Sequence, residues 1–356
     1  MSSPDWTPLA TSPHSPAEET AGAISSEPGE RGPTHALPNP DAGASVPGAL
    51  GRGGLGSSVP GERGPTHALP ETRLADAVNA ATQILGAAGV PSPAVDAQLL
   101  AAHLLGVSPG EVAAMLFGTA VVPAGYDALI ARREAREPLQ HITGVAYFRH
   151  LELAVGKGVF VPRPETESVV QLAIDVLTHM SQESTYKSEL LAVDLGTGSG
   201  AIAAAMATEV AGTRVYAVEL SDEAYPWAQR NLAGTGAVLI RGDMRDAFVE
   251  LNALVDVVVS NPPYIPADAI PRDIEVRLHD PHMALYGGGE DGMEIPAAAA
   301  ETAARLLRPG GYFVMEHAEV QGEQISQLLK QSGHWENVRS HQDLTGRDRA
   351  TSGYRC

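Results

Sequence analysis

The sequence predicts an α/β protein with a parallel sheet flanked by helices, preceded by a small helical domain. From residue 190 onward, short apolar runs alternate with helical segments, which is typical of parallel strands joined by crossover helices. A glycine-rich stretch, Gly196 to Gly200, joins the first of these runs to the helix that follows it. Before residue 138, the apolar residues recur instead at the spacing of amphipathic helices.

The chain has 356 residues, which is enough for two domains of ~100–200 residues each and an additional tail. Residues 1–70 hold 12 of the 27 prolines and 11 of the 37 glycines, and Trp6 is their only aromatic residue. Such a segment cannot bury enough apolar surface to offset the entropy lost on ordering. We therefore expect a disordered tail. Within it, residues 28–38 recur unchanged at 60–70, as a local duplication or as a motif that binds a partner.

Residues 71–137 are predicted to form four helices packed into one domain. Turns that contain glycine and proline separate these helices. The second helix begins after Ser92 and ends at Gly106, and the residues expected on its inner face are Val95, Leu99, Ala102 and Leu105. No residue pattern in this domain indicates catalytic chemistry.

Residues 138–166 are predicted to link the two domains through a β-hairpin. Leu151 to Val155 alternates with a period of two, and Val159 to Val161 follows after a Gly-Lys-Gly turn. The linker runs into the sequence Pro-Arg-Pro-Glu-Thr-Glu, in which Thr166 is expected to cap a helix that begins near Glu167.

Residues 167–356 are predicted to form the sheet domain. Its first strand, Leu190 to Leu195, leads into the glycine-rich stretch, and the next three strands end near Glu219, Asp243 and Asn261. A fifth strand and a terminal antiparallel pair follow towards the carboxyl terminus. Because the carboxyl ends of parallel strands meet at one edge of a sheet, these side chains are expected to share one crevice.

We call the glycine-rich stretch the glycine loop; its members are Gly196, Thr197, Gly198, Ser199 and Gly200. The pattern G-x-G-x-G brings a ligand close to the backbone, although a plain glycine turn is the alternative. Glu219 can accept hydrogen bonds from ribose hydroxyls, or it can be an ordinary surface acid. Asp243 or Met244 could meet an adenine ring at the same edge.

The fourth strand, Val255 to Ser260, is followed by Asn261, Pro262, Pro263 and Tyr264. Two consecutive prolines cannot continue a strand ladder, so the strand is expected to stop at Asn261. An amide, a rigid turn and an aromatic ring then stand at the edge where ligands bind. A plain strand-to-loop turn is the alternative for this tetrapeptide taken alone.

Together, the run Val193 to Gly200, Glu219 and the Asn-Pro-Pro-Tyr tetrapeptide resemble a class I S-adenosylmethionine-dependent methyltransferase with a Rossmann-like sheet. Enzymes of this kind methylate a planar amide or amino nitrogen. Pro138 to Gly144, Pro162 to Glu167 and Gly346 to Arg349 are similar to the HemK-type family. That family comprises the peptide chain release factor glutamine N5-methyltransferases. The resemblance covers residues 71–356 and leaves the tail unexplained.

The resemblance implies S-adenosyl-L-methionine as the cofactor, held by the glycine loop, Glu219, Asp243, Met244 and Asn261. Asp is usual at the position of Glu219 and an aromatic residue at that of Met244, so both are departures from the family. The resemblance also implies the glutamine of the Gly-Gly-Gln motif in class-1 release factors as the substrate. Residues 71–137 are then expected to grip the release factor away from that motif.

The chemistry of an amide substrate is consistent with the tetrapeptide. An amide nitrogen is a poor nucleophile, and the site needs acceptors for its NH2 group. Asn261 offers a side-chain carbonyl and Pro262 a preorganised backbone carbonyl, while Tyr264 can stack on the flat amide. These three residues are the predicted catalytic groups, and Pro263 completes the predicted substrate site. Near-attack positioning can contribute ~7–11 kcal/mol, so neither a metal nor a strong base is required.

Two alternative functions are compatible with the same residues. The first is a nucleic acid N-methyltransferase that acts on an exocyclic amine of adenine or guanine. Residues 71–356 carry 21 Lys and Arg against 36 Asp and Glu, a balance that opposes contacts with phosphates. The second is a non-catalytic binding protein, which the intact glycine loop, Glu219 and the tetrapeptide disfavour.

The remaining features indicate a cytoplasmic protein. Cys356 is the only cysteine, which excludes an intrachain disulfide and a cysteine metal cluster. No apolar stretch approaches the ~18 residues of a membrane span, and the N-terminus lacks the pattern of a signal or transit peptide. We expect a monomer that binds neither nucleic acid nor membrane.

Overall fold

The computed structural model describes residues 6–8, 72–183 and 189–356 of the chain. In the segment predicted to be disordered, Trp6–Pro8 forms a short strand, β1, which pairs antiparallel with Ala269–Pro271. The rest of the predicted tail, including both copies of its repeat, lies outside the described residues.

The helical domain contains five helices between residues 72 and 144, because a short helix after Pro138 adds to the four predicted. They are α1 (Leu74–Ala87), α2 (Pro93–Leu105), α3 (Pro109–Met115), α4 (Tyr126–Glu134) and α5 (Leu139–Thr143). Leu74, Leu85, Leu100 and Tyr126 are buried at their common centre. The Tyr126 hydroxyl donates a hydrogen bond of 2.9 Å to the Ala97 carbonyl, which satisfies its polar end.

The buried face of α2 agrees only in part with the predicted one. Val95 is 56% exposed, whereas Asp96 and Leu100 are buried. Asp96 Oδ2 pairs with Arg133 Nε at 2.7 Å, and this contact compensates for the burial of both charges. Ala102 is buried as predicted and Leu105 packs against the same core, so the pattern identified part of the buried face. It missed Asp96, because an apolar pattern places an acid on the outside of a helix.

The predicted hairpin is present with a different partner strand. β2 (Val145–Phe148) pairs with β3 (Leu151–Ala154), and residues 159–161 form no strand. Arg149 anchors the turn between the two strands. Its guanidinium pairs with Glu209 at 2.6 Å, and its backbone N–H donates to the Glu167 carboxylate at 3.0 Å.

The helix after the linker, α6 (Pro164–Glu183), begins earlier than predicted. Pro164 occupies its first position, where the N–H that proline lacks would have no partner within the helix. Thr166 therefore lies inside the first turn and is buried, so it does not act as the predicted cap.

One sheet of seven strands forms the centre of the second domain. Its strands are β4 (Leu190–Leu195), β5 (Thr213–Glu219), β6 (Val238–Arg241), β7 (Val255–Ser260), β9 (Leu307–Glu316), β10 (Trp335–Gln342) and β11 (Asp348–Arg355). The strand β8 (Ala269–Pro271) pairs with β1 outside this sheet. The order across the sheet is β10-β11-β9-β7-β4-β5-β6, with β11 antiparallel to both of its neighbours. The predicted parallel sheet with a terminal antiparallel pair is thus confirmed.

Helices cover both faces of the sheet. They are α6, α7 (Ala201–Glu209), α8 (Tyr225–Leu232), α10 (Glu294–Leu306) and α11 (Gly322–Ser332), while α9 (Ile274–His279) lies in the segment after β8. One core packs α6 and α7 against the sheet, and a second core contains α10 and α11. Among the residues that the structure describes, no helix combines the length and apolar composition that a bilayer span requires.

The strand order reverses beside β4. The chain proceeds from β4 outward through β5 and β6, and then returns to place β7 on the other side of β4. The parallel register pairs Leu195 with Ser260, the last residues of these two strands. Gly196 and Asn261, which come next, therefore leave the sheet side by side. In open α/β sheets a reversal of this kind creates a crevice for ligands.

Three charged residues join the helical domain to the sheet domain. Arg133 and Arg136 at the end of α4 contact the Glu275 carboxylate of α9, each at 2.8 Å. Arg133 is almost completely buried, because Asp96 and Glu275 hold its two ends. The pairs fix the helical domain beside α9, which precedes a loop that lines the crevice.

Candidate active site

A cavity of about 330 Å³ opens at the carboxyl edge of the sheet. It gathers most of the residues predicted to act there: Gly196, Thr197, Gly198, Ser199, Glu219, Asp243, Met244, Asn261, Pro263 and Tyr264. Gly200 and Pro262 do not line it. The cavity thus joins the glycine loop and the tetrapeptide in one site.

The glycine loop depends on backbone conformations that favour glycine. Gly196 and Gly198 have φ angles of +75° and +58°, and the space where a Cβ of Gly198 would lie is open. Gly200 has a φ of +85° and also serves packing, because a Cβ there would lie 3.2 Å from Leu232 and 3.4 Å from Ala228 of α8. Two of the glycines therefore shape the ligand side of the loop, and the third allows the close approach of a helix.

Glu219 is buried at the end of β5 and holds the glycine loop. Its carboxylate accepts hydrogen bonds of 2.7 Å from the backbone N–H groups of Gly198 and Ser221. Burial raises the pKa of Glu219, while these backbone donors oppose the rise. A carboxylate has about four lone-pair sites, so Glu219 keeps capacity for ligand hydroxyls.

Asp194 is a second buried acid, which sequence analysis did not single out as a site residue. Its Oδ2 accepts hydrogen bonds from the Thr197 hydroxyl at 2.5 Å and from the Ala203 N–H at 3.2 Å. Its Oδ1 is buried and has no hydrogen-bond partner among the described residues. Burial raises the pKa of Asp194 to about 7, with a smaller contribution from Glu219.

Asp243 and Met244 form the next part of the wall. Asp243 caps a short turn by accepting a hydrogen bond from the Arg245 N–H at 2.9 Å, and it pairs with the Arg245 guanidinium at 3.1 Å. The Met244 methyl would lie 3.5 Å from a Cβ on Gly196, so this side chain reaches the glycine loop. Its flexible thioether provides an apolar surface on this wall of the cavity.

The tetrapeptide is held from several sides. Ser260, just before it, donates to the Leu195 carbonyl at 2.8 Å and ties β7 to β4. Asn261 Nδ2 donates to the Thr166 hydroxyl at 3.4 Å. The Tyr264 carbonyl accepts a hydrogen bond of 2.9 Å from Gln321 Nε2. The roles of Thr166 and Gln321 were not predicted, since both residues are distant from the tetrapeptide in sequence.

A loop at residues 281–292 supports the tetrapeptide from behind. The Leu285 carbonyl accepts hydrogen bonds from the N–H groups of Tyr264 and Ile265, at 3.2 Å and 2.8 Å. A Cβ on Gly292 would collide with the Tyr264 carbonyl oxygen, and one on Gly287 would lie 2.8 Å from the Pro263 carbonyl oxygen. The sequence signal was the glycine-rich run at 287–292, which sequence analysis left unassigned.

The same loop contributes an aromatic part of the cavity wall. His282 stacks on Tyr286 with ring centroids 4.1 Å apart, and Phe160 from the linker also lines the cavity. Arg163 lies over the Phe160 ring and pairs with Asp280 at 2.7 Å. The Pro-Arg-Pro-Glu-Thr-Glu segment thus contacts the site at Arg163 and at Thr166.

Two family models match the chain. The model described as the PrmC N-terminal domain matches residues 76–144, which contain most of α1 and all of α2 to α5. The model described as the methyltransferase small domain matches residues 173–290, from α6 to the loop at 281–292. The two matches therefore fall on the two parts that meet at Glu275.

Curated relatives cover most of the chain. The "Release factor glutamine methyltransferase" of Streptomyces coelicolor is 52% identical, over 76% of this chain and 93% of its own length. The "4-amino-L-phenylalanine/4-methylamino-L-phenylalanine methyltransferase" of Streptomyces pristinaespiralis is 42% identical, over 75% of this chain and 90% of its own.

A solved structure with the same type of name is more distant. It is the release factor-specific protein-(glutamine-N5) methyltransferase from Alicyclobacillus acidocaldarius, which is 26% identical. The match covers 56% of this chain and 98% of that one, with a TM-score of 0.36.

Proposed function

The chain belongs to the release factor glutamine methyltransferase family, and from this premise we propose that the cavity beside β4 and β7 is where a release-factor glutamine is methylated. The enzyme is an S-adenosylmethionine-dependent protein-glutamine methyltransferase with a class I fold. The observation that carries the proposed location is the pairing of Leu195 with Ser260. It sets the glycine loop and Asn261 next to each other at the rim of one cavity.

The residues of the cavity fit S-adenosylmethionine. The open space before Gly198 lets a ligand approach the backbone, and Glu219 keeps lone pairs for ribose hydroxyls. Val218, Leu220 and Met244 line the cavity with apolar surface suited to an adenine ring. When bound, S-adenosylmethionine supplies a methyl group on a positively charged sulfur.

We assign the substrate end of the cavity to Asn261 and Tyr264. Asn261 directs its Nδ2 towards Thr166, which leaves its Oδ1 to accept a hydrogen bond from a substrate NH2 group. Tyr264 lines the cavity beside it, and we assign its ring to pack on a flat amide. Pro262 is buried outside the lining, and its carbonyl stays the predicted second acceptor.

The chain's own groups perform three tasks in this proposal. Acceptors hold the amide NH2 and disfavour the planar arrangement that delocalises its lone pair. The apolar walls exclude water, which strengthens each polar contact inside. The rigid mounting of the tetrapeptide holds the acceptors in place before the substrate arrives, so that no reorganisation is needed during the reaction.

The partner and the compartment follow from this function as parts of the proposal. We propose the Gly-Gly-Gln glutamine of class-1 release factors as the acceptor and residues 71–137 as the surface that grips the rest of the factor. Release factors work at the ribosome, so we place the enzyme in the cytoplasm, as a monomer that does not bind nucleic acid. The acidic balance of residues 71–356 supports the last point.

The test uses purified enzyme, labelled S-adenosylmethionine and a whole bacterial release factor. We expect label on the native factor and none on a control factor whose Gly-Gly-Gln glutamine is replaced by alanine. Asn261→Ala should lower turnover about 100-fold and largely retain cofactor binding. Labelling of ribosomal RNA or DNA, with the factor unlabelled, would contradict the proposal.

A second acceptor is supported by the relative from Streptomyces pristinaespiralis, whose name gives the aromatic amine 4-amino-L-phenylalanine as substrate. The stacked pair of His282 and Tyr286 could accommodate such a ring. The same assay with free 4-amino-L-phenylalanine decides between the two acceptors. Faster labelling of this amino acid than of the release factor would favour the second one.

A further inference from the structure

Glu316 lies behind the tetrapeptide and outside the cavity lining. It is the last residue of β9, one position after Met315, which pairs with Ser260 in the parallel register. Glu316 is therefore the neighbour of Asn261 across the two strands. Only 3% of its surface is exposed, so it does not meet a substrate directly.

Three side chains meet at this point. Asn261 follows Ser260 in β7 and Glu316 follows Met315 in β9, so the two residues are neighbours, and hydrogen bonding from Thr166 and Asn261 lowers the pKa of the Glu316 carboxyl group. Asn261 Nδ2 also donates to the Thr166 hydroxyl, at 3.4 Å. The second carboxyl oxygen of Glu316, Oε2, is buried and has no hydrogen-bond partner among the described residues. A buried carboxyl group with spare acceptor capacity faces the amide of Asn261.

The chemistry of this group selects one orientation of the Asn261 amide. Above its pKa of about 7, Glu316 is an ionised carboxylate that only accepts hydrogen bonds, whereas the two ends of an asparagine amide are a donor and an acceptor. The Asn261 NH2 group must then face Glu316 and Thr166, and its carbonyl must face away from them. In the opposite orientation, two carbonyl-type oxygens would meet in a buried site and a donor would face the substrate NH2.

We infer that Glu316 is a positioning residue, which acts through Thr166 to fix the Asn261 amide with its Oδ1 towards the substrate. This inference rests on the proposed function, in which Asn261 Oδ1 accepts a hydrogen bond from the glutamine amide. It also gives a role to the carboxyl-terminal Gly-Arg-Asp-Arg motif. Arg349 of that motif favours the charged form of Glu316, and its own backbone carbonyl accepts a hydrogen bond of 2.9 Å from His317.

The charges around Glu316 oppose one another. Burial raises the pKa of Glu316 to about 7, and the nearby Glu165 contributes to the rise. Thr166, Arg349 and Asn261 lower it. Asp343 holds the Arg349 guanidinium at 3.3 Å, which keeps this cation in place.

Glu316→Gln tests the inference because it retains the size of the side chain and adds a donor. A glutamine can satisfy either orientation of the Asn261 amide, so the amide is no longer fixed. The matched control is Asp256→Asn. Asp256 is a fully buried acid at the other end of β7, and its carboxylate pairs with Arg308 at 2.7 Å. Both changes remove one buried charge from neighbouring strands.

The first readout is independent of the substrate. The chain has six asparagines, so the side-chain NH2 signals of protein labelled with 15N-asparagine are few, and Asn261→Ala identifies the one of interest. We expect Glu316→Gln to shift this signal and to speed its exchange with water, and Asp256→Asn to leave it in place. An unchanged Asn261 signal in Glu316→Gln would overturn the inference, whichever acceptor the enzyme methylates.

The second readout is turnover of the release factor. We expect Glu316→Gln to lower kcat about 10–100-fold, with the Kd for S-adenosylmethionine within about threefold of wild type. In the Asn261→Ala background the same change should have no further effect, whereas a purely structural role would lower kcat by the same factor in both backgrounds. Wild-type enzyme that labels no release factor would count against the proposed function alone, because the first readout still decides the inference.

Thr166→Val keeps the test decisive if Glu316→Gln does not fold. Valine has the shape of threonine without the hydroxyl that contacts Asn261. We expect the same displacement of the Asn261 signal and a smaller loss of kcat, about 3–10-fold. Full turnover together with an unmoved signal would overturn the inference.

Discussion

The Glu219 carboxylate and the Gly198 N–H are joined by a hydrogen bond of 2.7 Å, which ties the end of β5 to the loop that follows β4. An aspartate, the usual residue at this position in the family, is one methylene shorter. Glu219 also lines the cavity, so one carboxylate holds the loop and borders the ligand space.

Glu219→Gln should therefore weaken the binding of the cofactor more than the binding of the substrate that receives the methyl group. The neutral amide loses a charge-assisted bond to Gly198 and a strong acceptor for ribose hydroxyls, so the Kd for S-adenosylmethionine should rise about tenfold or more. Calorimetric titration measures this, with Asp222→Asn as the control, a nearby exposed acid that pairs with Arg241. A Kd equal to that of wild type would contradict the assigned ribose contact.

Gly292→Ala should abolish most of the turnover. Its Cβ would collide with the Tyr264 carbonyl oxygen, and its φ of +75° disfavours any side chain. The control is Gly289→Ala in the same loop, where φ is +67° and a Cβ would lie 3.4 Å from the Asp291 side chain. Both variants carry the backbone strain of about 1–2 kcal/mol, but only Gly292→Ala displaces the tetrapeptide. Initial rates normalised to folded protein should separate the two, and equal rates would contradict the supporting role of the loop.

Glu275→Gln should uncouple the two domains. Arg136 loses the carboxylate it pairs with and Arg133 keeps only Asp96, so the free energy of unfolding should fall by about 1.5–3 kcal/mol. If the helical domain grips the release factor, KM should rise for the whole factor and stay constant for a short Gly-Gly-Gln peptide. Glu137→Gln, which breaks a more exposed pair within the helical domain, is the control. An equal rise in KM for both substrates would count against recognition by the helical domain.

Asp194 should make stability depend on pH. Its pKa is raised from 3.8 to about 7 by burial, so the folded protein retains a proton that the unfolded chain releases between these values. The stabilising contribution of the protonated form is complete below about pH 4 and is lost as pH rises towards 7. Asp194→Asn removes this dependence. When urea unfolding is measured between pH 4 and pH 7.5, the free energy of unfolding should therefore fall more steeply with rising pH in the wild type than in the variant.

A second variant checks the cause of this slope. The Thr197 hydroxyl lowers the pKa of Asp194, so Thr197→Val should raise it further and extend the loss of stability to higher pH. If the free energy of unfolding changes with pH in parallel for wild type, Asp194→Asn and Thr197→Val, then Asp194 does not titrate differently in the folded and unfolded states.

Sequence patterns predicted the elements whose signals are local. The strand from Val255 to Ser260 was placed at the bounds observed, because β-branched residues and the following prolines mark both of its ends. The residues at strand ends also converge as expected, because parallel topology brings them to one edge. The predicted cavity residues followed from these two rules.

The remaining parts of the site depend on contacts between segments distant in sequence. Thr166 had the residue type of a helix cap, yet it is buried against Asn261. The burial of Asp96 follows from its pairing with Arg133. The spacing of apolar residues along the sequence does not predict such a pair. Glu316 and Gln321 lie more than 50 residues after the tetrapeptide, and their roles emerge only once β9 is placed beside β7.

The absence of space at Gly292 and Gly287 has a consequence for exchanging parts between relatives. The tetrapeptide and the 281–292 loop meet backbone to backbone, so neither can change its path while the other stays fixed. A chimera that takes only the segment around Asn261 from a relative with another acceptor would combine two surfaces shaped for different neighbours. The two segments must be transplanted together, as a single inherited module, for a new acceptor specificity to be transferred.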